Sequence, residues 1–195
     1  LFTMKQSDVT TVRLFDHIPD SMKNLFGDTE YPWDVLNNIG EYIKSHYDEY
    51  LKQGYKEYKP GVLVGEGTKI AESSFIESPT IIGPNCEIRH CAYIRGNVIT
   101  GEKCVIGNST EVKNSVLFDH VQIPHFNYVG DSILGNRSHL GAGAVCSNVR
   151  QDKSTIKIKT ESPISTNRQK LGAIICDDVE IGCGSVLNPG TIIGK

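Results

Sequence analysis

The sequence predicts a mainly β fold, a parallel β-helix built from six-residue repeats. From Val64 onward an aliphatic residue returns every six positions, at Val64, Ile70, Ile76, Ile82, Ile88 and Ile94, and after Thr100 at Ile106 and Val112. Glycine follows several of these residues, as in Ile82-Gly83 and Ile106-Gly107. A period of six matches neither an amphipathic helix, at about 3.6, nor a half-buried strand, at about 2, and is typical of a parallel β-helix.

The repeat also predicts how the coils stack. Three repeats make one triangular coil, so equivalent residues of successive coils lie above one another at a spacing of about 4.8 Å. Each aliphatic position points inward, and glycine is expected where the chain turns a corner with φ near or above zero. Since one coil cannot bury its own apolar face, the stack of coils is the folding unit.

Residues 1–60 have a different pattern and are predicted to form an N-terminal segment. Val9 to Phe15 is a short β-prone run, and one helix is predicted from about Trp33 to Leu51. The apolar residues of that helix recur at helical spacing, at Trp33, Leu36, Ile39, Ile43, Tyr47 and Leu51. We expect this stripe to pack on the open N-terminal end of the β-helix as a small helical cap.

The predicted β-helix, residues 61–195, is interrupted in two ways. The interval drops from six residues to five between Phe118 and Ile123 and again between Val129 and Leu134. A polar stretch at about 149–170 then precedes the return of the repeat at Ile175, Ile181, Leu187 and Ile193. We expect about 20 residues to leave the helix there as a loop, and loops of that length are usually functional or disordered.

Composition and charge exclude several classes of protein. The 195 residues are 38% hydrophobic with a net charge of -3, so no general basic surface for nucleic acid is expected. The sequence has neither a long uninterrupted apolar run nor a charged-then-apolar leader, so we expect a cytoplasmic protein without a membrane partner. None of the six cysteines forms a CxxC pair, and Cys86 and Cys104 stand at equivalent positions of successive coils, which favours stacked, reduced thiols.

Two cations are spaced to bind an anion. Arg95 and Lys113 each follow an inward aliphatic residue, one coil apart, so they should stack on one edge of the prism about 5 Å from each other. Their mutual repulsion favours a bridging anion such as phosphate. The alternative is a pair of solvated surface charges near Glu77 or Glu111.

A histidine lies in the segment from Pro124 to Asp131, between the two short intervals. His125 can accept a proton near neutral pH, as acyl transfer to an amine requires. A lone histidine is also often structural, and on the residues alone both interpretations stay open.

Four segments, with Asn148, carry a family resemblance: Ala92–Arg95, Gly107–Lys113, His125–Asp131 and Leu140–Gly143. In order and spacing they resemble the acetyltransferase half of the bifunctional bacterial UDP-N-acetylglucosamine pyrophosphorylase/glucosamine-1-phosphate N-acetyltransferase family. Archaeal-type sugar-1-phosphate nucleotidyltransferase/acetyltransferases are more similar still from Asn148 through Arg168–Ile175, and also at Tyr31–Leu36. The resemblance covers about residues 30–195.

This resemblance implies a left-handed β-helix that forms a homotrimer with acetyl-CoA, as co-substrate, between subunits. It implies an N-acetyltransferase that acetylates the amine of an amino-sugar 1-phosphate, glucosamine-1-phosphate above all, with no metal and no covalent acyl-enzyme. His125 corresponds to the general base. Positions that contact the sugar phosphate correspond to Arg95, Lys113, Tyr128, Asn148, His139 and a basic loop residue, Lys153 or Lys157. Ala142 and Cys183 correspond to positions that contact coenzyme A.

The sequence departs from the bacterial family at several positions. His139 replaces an asparagine that contacts the sugar, and Val149 replaces an aromatic residue, so the choice of amino sugar stays open. The chain stops at Lys195, before later coils that help to bind coenzyme A in that family, which leaves the affinity for coenzyme A open. Nothing in residues 1–60 resembles a Gly-rich nucleotide-binding loop, so no uridylyltransferase activity is expected.

Two other functions stay open at this point. The first is a non-catalytic β-helix module that binds a sugar phosphate. The second is a metalloenzyme similar to the γ-class carbonic anhydrases, which are also left-handed β-helix trimers, because His120 and His125 form an H-x4-H pair. Against it, Pro84 stands where the third histidine is expected, and His90 is one repeat out of place.

Overall fold

The computed structural model describes residues 4–194, and parallel strands stacked coil upon coil form the three faces of a triangular prism. The predicted fold class, a mainly β left-handed parallel β-helix, is confirmed. Each coil contributes one short strand to each face, so strands that are neighbours in a sheet are one coil apart in the chain.

Sheet 1 contains, in spatial order, β1 (Lys56–Lys59), β2 (Val62–Val64), β5 (Thr80–Ile82), β8 (Val98–Thr100), β11 (Ser115–Leu117), β14 (Ile133–Leu134), β19 (Ala173–Ile175) and β22 (Thr191–Ile193). Sheet 2 contains β3 (Lys69–Ile70), β6 (Glu87–Ile88), β9 (Val105–Asn108), β12 (Gln122–His125), β15 (His139–Leu140) and β20 (Glu180–Ile181). Sheet 3 contains β4 (Phe75–Ile76), β7 (Tyr93–Ile94), β10 (Glu111–Lys113), β13 (Tyr128–Gly130), β16 (Val145–Cys146) and β21 (Val186–Leu187).

Inward aliphatic side chains stack in columns through the prism. In sheet 3, Ile76 pairs with Ile94, Ile94 with Val112, and Val112 with Val129, and all four side chains are buried. Burying one such side chain contributes about 2 kcal/mol, so the stack of coils supplies the core that no single coil possesses. Cys86 and Cys104 are stacked in the same way, and the Cys104 backbone N–H donates to Cys86 Sγ at 3.3 Å. All six cysteines are free thiols.

The two five-residue steps are present, but the first lies earlier than the sequence predicts. Leu117 pairs with Thr100 and Leu134, so the step runs from Val112 to Leu117 and not from Phe118 to Ile123. Phe118 is buried outside the prism, where its ring contacts Phe15 and Phe26 at centroid distances of 4.8 and 5.5 Å. Phe118 is covered by the N-terminal segment, and in the sequence such a residue looks the same as one that points into the prism. The second short step, from Val129 to Leu134, lies where it is predicted.

Most corners of the prism turn through non-glycine residues with positive φ. These recur at the same six-residue interval, at Asn85, Cys91, Asn97, Lys103 and Ser109. The glycines after inward residues serve another purpose, which corrects the expectation from sequence. A Cβ on Gly107 would lie 1.6 Å from the Pro124 carbonyl oxygen of the next coil, so glycine is required there for close approach of two backbones.

The N-terminal segment is a chain of short helical turns. Its α-helices are α1 (Thr11–Leu14), α2 (Lys23–Phe26), α3 (Ile39–Ser45) and α4 (Tyr47–Lys52), and its 3-10 turns are Gln6–Val9, Asp20–Met22 and Pro32–Asn37. The β-prone run from Val9 to Phe15 is thus mainly helical, and the single helix predicted from Trp33 to Leu51 is three pieces that share one apolar stripe. Trp33, Ile39 and Ile43 are fully or almost fully buried on that stripe.

This segment lies along the outer face of sheet 1, whereas we expected it at the open end. Helix α3 packs on β5 and β8, and α4 packs on β2. The physical reason is that sheet 1 is buried on both faces, as the buried neighbours Ile81 and Ile82 illustrate, and buried sheets read as continuous apolar runs. The edge of the first coil is covered by β1, which pairs antiparallel with β2.

The loop leaves the prism after β16 and returns before β19. Val149 and Lys170 form a bridge at its base, and an antiparallel hairpin of β17 (Lys157–Ile158) and β18 (Ile164–Ser165) forms its body. Across this insertion the backbone of Ala173 donates to Ser132, 41 positions earlier in the chain, instead of the usual 17 or 18. Within residues 4–194, every helix is too short or too polar to cross a bilayer.

Candidate functional site

The residues that the resemblance implicates lie mainly on the two edges that border sheet 3. We define the His125 edge as the turns between sheets 2 and 3, which include His125, Ala142 and Cys183. We define the Lys113 edge as the turns between sheets 3 and 1, which include Arg95, Lys113, Asp131 and Asn148. One strand of two or three residues per coil, about 7–10 Å long, separates the two edges.

Backbone hydrogen bonds stack the His125 edge into a column. The N–H of Phe126 donates to Asn108 O at 2.7 Å, and the N–H of Gly143 donates to His125 O at 3.0 Å. On the next coil the N–H of Gly184 donates to Ala142 O at 2.8 Å. The candidate base and both candidate coenzyme A positions therefore occupy equivalent positions of consecutive coils.

The imidazole of His125 projects from this column into solvent. Within residues 4–194 its side chain forms no hydrogen bond or ion pair, although its backbone N–H donates to Asn127 Oδ1 at 3.1 Å. Asn127 is 2% exposed and donates from Nδ2 to Gly141 O at 2.8 Å, which ties the turn to the coil that carries Ala142. The buried amide thus fixes the backbone of the turn while the imidazole stays available to accept a proton.

Asp131 organises the Lys113 edge. Its side chain is 3% exposed and accepts from Asn114 Nδ2 at 2.8 Å and from Asn148 Nδ2 at 2.6 Å. Lys113 Nζ lies 3.1 Å from the same carboxylate, and its side chain is 18% exposed. The carboxylate therefore positions one candidate phosphate ligand, Lys113, and one candidate sugar ligand, Asn148, at the same time.

A second cation reaches this carboxylate from the far end of the loop. Arg168 Nη2 lies 3.7 Å from Asp131 Oδ1, and the Arg168 side chain is only 9% exposed. Its guanidinium also donates to Lys170 O at 2.9 Å and to Asn37 Oδ1 of the N-terminal segment. Burial lowers the pKa of Arg168, and the nearby carboxylates of Asp131 and Asp34 oppose that shift.

Tyr128 lies on sheet 3 and extends toward the Lys113 edge. Its hydroxyl and the Asn148 amide both crowd Gly130, where an added Cβ would lie 2.6 Å from the hydroxyl oxygen and 2.7 Å from Asn148 Nδ2. Burial, then the charges of Asp131 and Glu111, raises the pKa of Tyr128, so its hydroxyl stays protonated and can donate. The neighbouring Asn148 amide opposes this shift of the pKa.

Arg95 is held more loosely than Lys113. Its Nη1 lies 2.8 Å from Glu111 Oε1, and the side chain is 41% exposed. The hydrogen bond with Glu111 raises the pKa of Arg95. Both candidate phosphate ligands are therefore ion-paired within the chain, one at the surface with Glu111 and the other beneath it with Asp131.

Two predicted substrate residues lie apart from this cluster in the chain. His139 is on sheet 2, in register with Gln122 and Glu180, and its Nδ1 is 2.7 Å from Glu180 Oε2. Lys157 lines a cavity of about 790 Å³ between the loop hairpin and the last coil, and that cavity touches neither His125 nor the Lys113 edge residues named above.

The geometry offers little to a metal ion. No group of three or more His, Cys, Asp or Glu side chains converges in the part of the chain that the structure describes. His120 occupies the corner before β12 and His125 is the last residue of that strand, and His120 Nε2 lies 3.5 Å from Glu102 Oε1. The H-x4-H pair is thus not a chelating pair within one chain.

The family described as "GMPPB C-terminal domain" matches residues 82–195, which is more than half of the chain. The chain belongs to this family. The match covers the whole loop and the coils from residue 82 onward, so all the candidate site residues lie inside it.

Curated relatives support the resemblance stated from sequence, which is confirmed. "Bifunctional protein GlmU" of Methanococcus maripaludis is 31% identical over 89% of this chain and 43% of its own length. The protein of the same name from Methanococcus aeolicus is 31% identical over 100% of this chain and 50% of its own. A "Bifunctional sugar-1-phosphate nucleotidylyltransferase/acetyltransferase" from Sulfurisphaera tokodaii is 40% identical over 44% of this chain and 22% of its own. The chain spans at most half the length of these relatives.

A solved structure of a hexapeptide transferase family protein from Anaplasma phagocytophilum is similar to this chain, with 19% sequence identity. The match covers 69% of this chain and 75% of that protein, with a TM-score of 0.28.

Sequence reasoning missed the central residues of the Lys113 edge. The sequence predicts no role for Asp131 or Arg168, although both lie within segments that carry the family resemblance. The signal for Asp131 was its place in the second five-residue step, where a left-handed turn, with φ of 48°, favours Asp or Asn. No pattern could pair it with Arg168, because the loop, the prism and the N-terminal segment meet at this point only in three dimensions.

Proposed function

We propose that this chain is an N-acetyltransferase that moves acetyl from acetyl-CoA to the amine of an amino-sugar 1-phosphate, most simply glucosamine-1-phosphate. The observation that carries the proposal is the arrangement of sheet 3. One of its edges presents an imidazole that has no partner within residues 4–194, in a column with Ala142 and Cys183. The opposite edge presents Lys113, Arg95 and the Tyr128 hydroxyl, which together suit a sugar phosphate.

The proposed mechanism is direct transfer. His125 takes a proton from the substrate amine as the amine attacks the acetyl carbonyl carbon of the thioester, and the coenzyme A thiolate leaves from the tetrahedral intermediate. The backbone N–H of Ala142 donates no hydrogen bond within residues 4–194 and is a candidate donor to the oxyanion. Lys113, Arg95 and Tyr128 hold the sugar phosphate so that its amine faces the base, which lowers the entropic part of the barrier.

A homotrimer completes this proposal. Large apolar side chains are exposed along sheet 3 and its His125 edge, among them Phe75, Phe126 and Val186, each more than half exposed. Such a row on a rigid sheet suits contact with another copy of the chain. The groove between two copies would then hold acetyl-CoA beside the column of His125, Ala142 and Cys183.

The test is release of free thiol from acetyl-CoA in the presence of glucosamine-1-phosphate or galactosamine-1-phosphate. We expect turnover by the native chain and a 10²- to 10⁴-fold fall in kcat for His125→Asn, as for loss of a general base. His120→Asn is the matched control, because it removes an exposed histidine from the other end of β12 and should leave kcat unchanged. Absence of turnover with both sugars would overturn the proposal.

A second candidate is a non-catalytic sugar-phosphate-binding module. The observation in its favour is that Asp131 holds a candidate phosphate ligand, Lys113, and a candidate sugar ligand, Asn148, on the edge opposite His125. Calorimetry decides between the two, since binding of glucosamine-1-phosphate without binding of acetyl-CoA would favour the module.

A further inference from the structure

We propose that Arg168 is a positioning residue that neutralises Asp131, so that the positive charge of Lys113 stays available to the phosphate of the substrate. This inference rests on the proposed function only in taking a sugar phosphate as the ligand of the Lys113 edge. Arg168 itself does not contact the phosphate in this proposal.

The first step of the argument is the charge balance around Asp131. One carboxylate, 3% exposed, faces two cations, with Lys113 Nζ at 3.1 Å and an Arg168 nitrogen at 3.7 Å. Asn114 and Asn148 add neutral donors at 2.8 and 2.6 Å. Asp131 therefore faces two cations at once, and the Asp34 carboxylate also interacts with one of them, Arg168.

The second step is which of the two cations is exposed to a ligand. The Arg168 side chain is half as exposed as that of Lys113, at 9% against 18%. The Arg168 guanidinium is also fixed by Lys170 O and Asn37 Oδ1, and the Asp34 carboxylate lies close enough to interact with it. Arg168 thus faces the protein interior, while Lys113 borders the surface beside Tyr128 and Arg95.

The third step is what the cluster would be without Arg168. Asp131 and Lys113 would then form a neutral pair in a poorly solvated place, where opposite charges attract far more strongly than in water. An incoming phosphate would have to compete with a carboxylate for the same ammonium group and would meet the repulsion of that carboxylate. Arginine suits the neutralising role because it keeps its charge when buried.

The experiment measures binding of glucosamine-1-phosphate, and separately of inorganic phosphate, by calorimetry without acetyl-CoA. Arg168→Gln should weaken both affinities about tenfold, whereas Asp131→Asn should tighten them, since it removes the competing carboxylate. The double variant Arg168→Gln with Asp131→Asn should recover to within about threefold of the native affinity. Asparagine suits position 131 because it tolerates the left-handed turn.

Two further variants separate charge from folding. Arg168→Lys keeps the charge and should bind within about threefold of native. Arg137→Gln removes an arginine whose Nε and Nη2 contact exposed Asp178 at 2.5 and 2.9 Å, and it should leave affinity unchanged. Thermal unfolding of every variant identifies any that fail to fold. If Arg168→Gln fails to fold, the affinity of Arg168→Lys for phosphate, compared with that of the native protein, tests the inference.

If the double variant binds as weakly as Arg168→Gln alone, Arg168 acts by direct contact or by shape and the inference is wrong. If Arg168→Gln binds phosphate as tightly as native, the inference is also wrong. If the variants show the expected affinities but the native protein releases no thiol from acetyl-CoA, the inference stands and the proposed acetyltransferase activity is wrong.

Discussion

The two edges that border sheet 3 are built on different physical principles. The His125 edge is made by the backbone, with a ladder of N–H to carbonyl bonds and a glycine whose Cβ would strike the next coil. The Lys113 edge is made by side chains, with Asp131 accepting from two asparagines and facing two cations. The first edge fixes positions through the fold, and the second fixes charges through contacts from distant segments.

This difference teaches which substitutions each edge tolerates. At the His125 edge the side chains of His125, Cys183 and Phe126 are exposed and change at little cost to the fold, whereas the backbone has no freedom. At the Lys113 edge the side chains hold the structure together and tolerate little change, because a buried charge that loses its partner is strongly destabilising.

The largest effect is expected from adding a methyl group to the backbone that supports the His125 edge. Gly107→Ala places Cβ 1.6 Å from the Pro124 carbonyl oxygen, so two coils must move apart, and we expect the free energy of unfolding to fall by about 3 kcal/mol or more. Gly182→Ala is the matched control on the last coil, where Cβ meets only Ser185 Oγ, at 3.8 Å. Urea unfolding of both variants measures the effect, and equal midpoints would show that the edge is not backbone-determined.

A smaller effect is expected from acetyl-CoA on the thiols of the His125 edge. Cys183 and Cys91 are both exposed on this edge, and only Cys183 lies on the coil next to Ala142. Acetyl-CoA at saturating concentration should slow modification of Cys183 by a maleimide about tenfold and leave Cys91 unchanged. Equal rates for Cys183 with and without acetyl-CoA would remove coenzyme A from this position.

The smallest effect is expected at the Lys113 edge from Tyr128→Phe. In the proposed function this change removes one hydroxyl donor to the sugar, so KM for the amino-sugar phosphate should rise about fivefold, equivalent to about 1 kcal/mol for one hydrogen bond. The protection of Cys183 by acetyl-CoA should not change, because in the proposed function the two edges bind different ligands. Steady-state kinetics measures KM, and maleimide labelling measures the protection of Cys183. If Tyr128→Phe both raises KM and abolishes the protection, the two edges do not act separately.

The six-residue period was enough to predict the prism, because inward stacking repeats at every coil and leaves a regular record in the sequence. It was not enough to place Phe118, since an apolar residue buried outside the prism by Phe15 looks the same as one buried inside. The doubled apolar residues of sheet 1, such as Ile81 and Ile82, are the signal that a second layer covers that face.

The candidate site could be predicted only as far as its residues follow the period. Arg95 and Lys113 are stacked as expected, and His125 lies in one column with Ala142. The ion pairs with Glu111 and Asp131 could not be foreseen in full, because the pairing depends on which neighbour a long side chain selects. Arg168 reaches the site through tertiary contacts that no local pattern records.

The lengths of chain that the contacts enclose have a consequence for folding kinetics. Coils close over 17 or 18 positions, whereas the bond from Asp16 to Asp177 spans 161 and the bond from Arg168 to Asn37 spans 131. Closing a longer loop costs more entropy, and contacts of high sequence separation form slowly. The prism should therefore form coil by coil before the N-terminal segment docks, so a refolding chain acquires its strands first and the contact of Arg168 with Asn37 last.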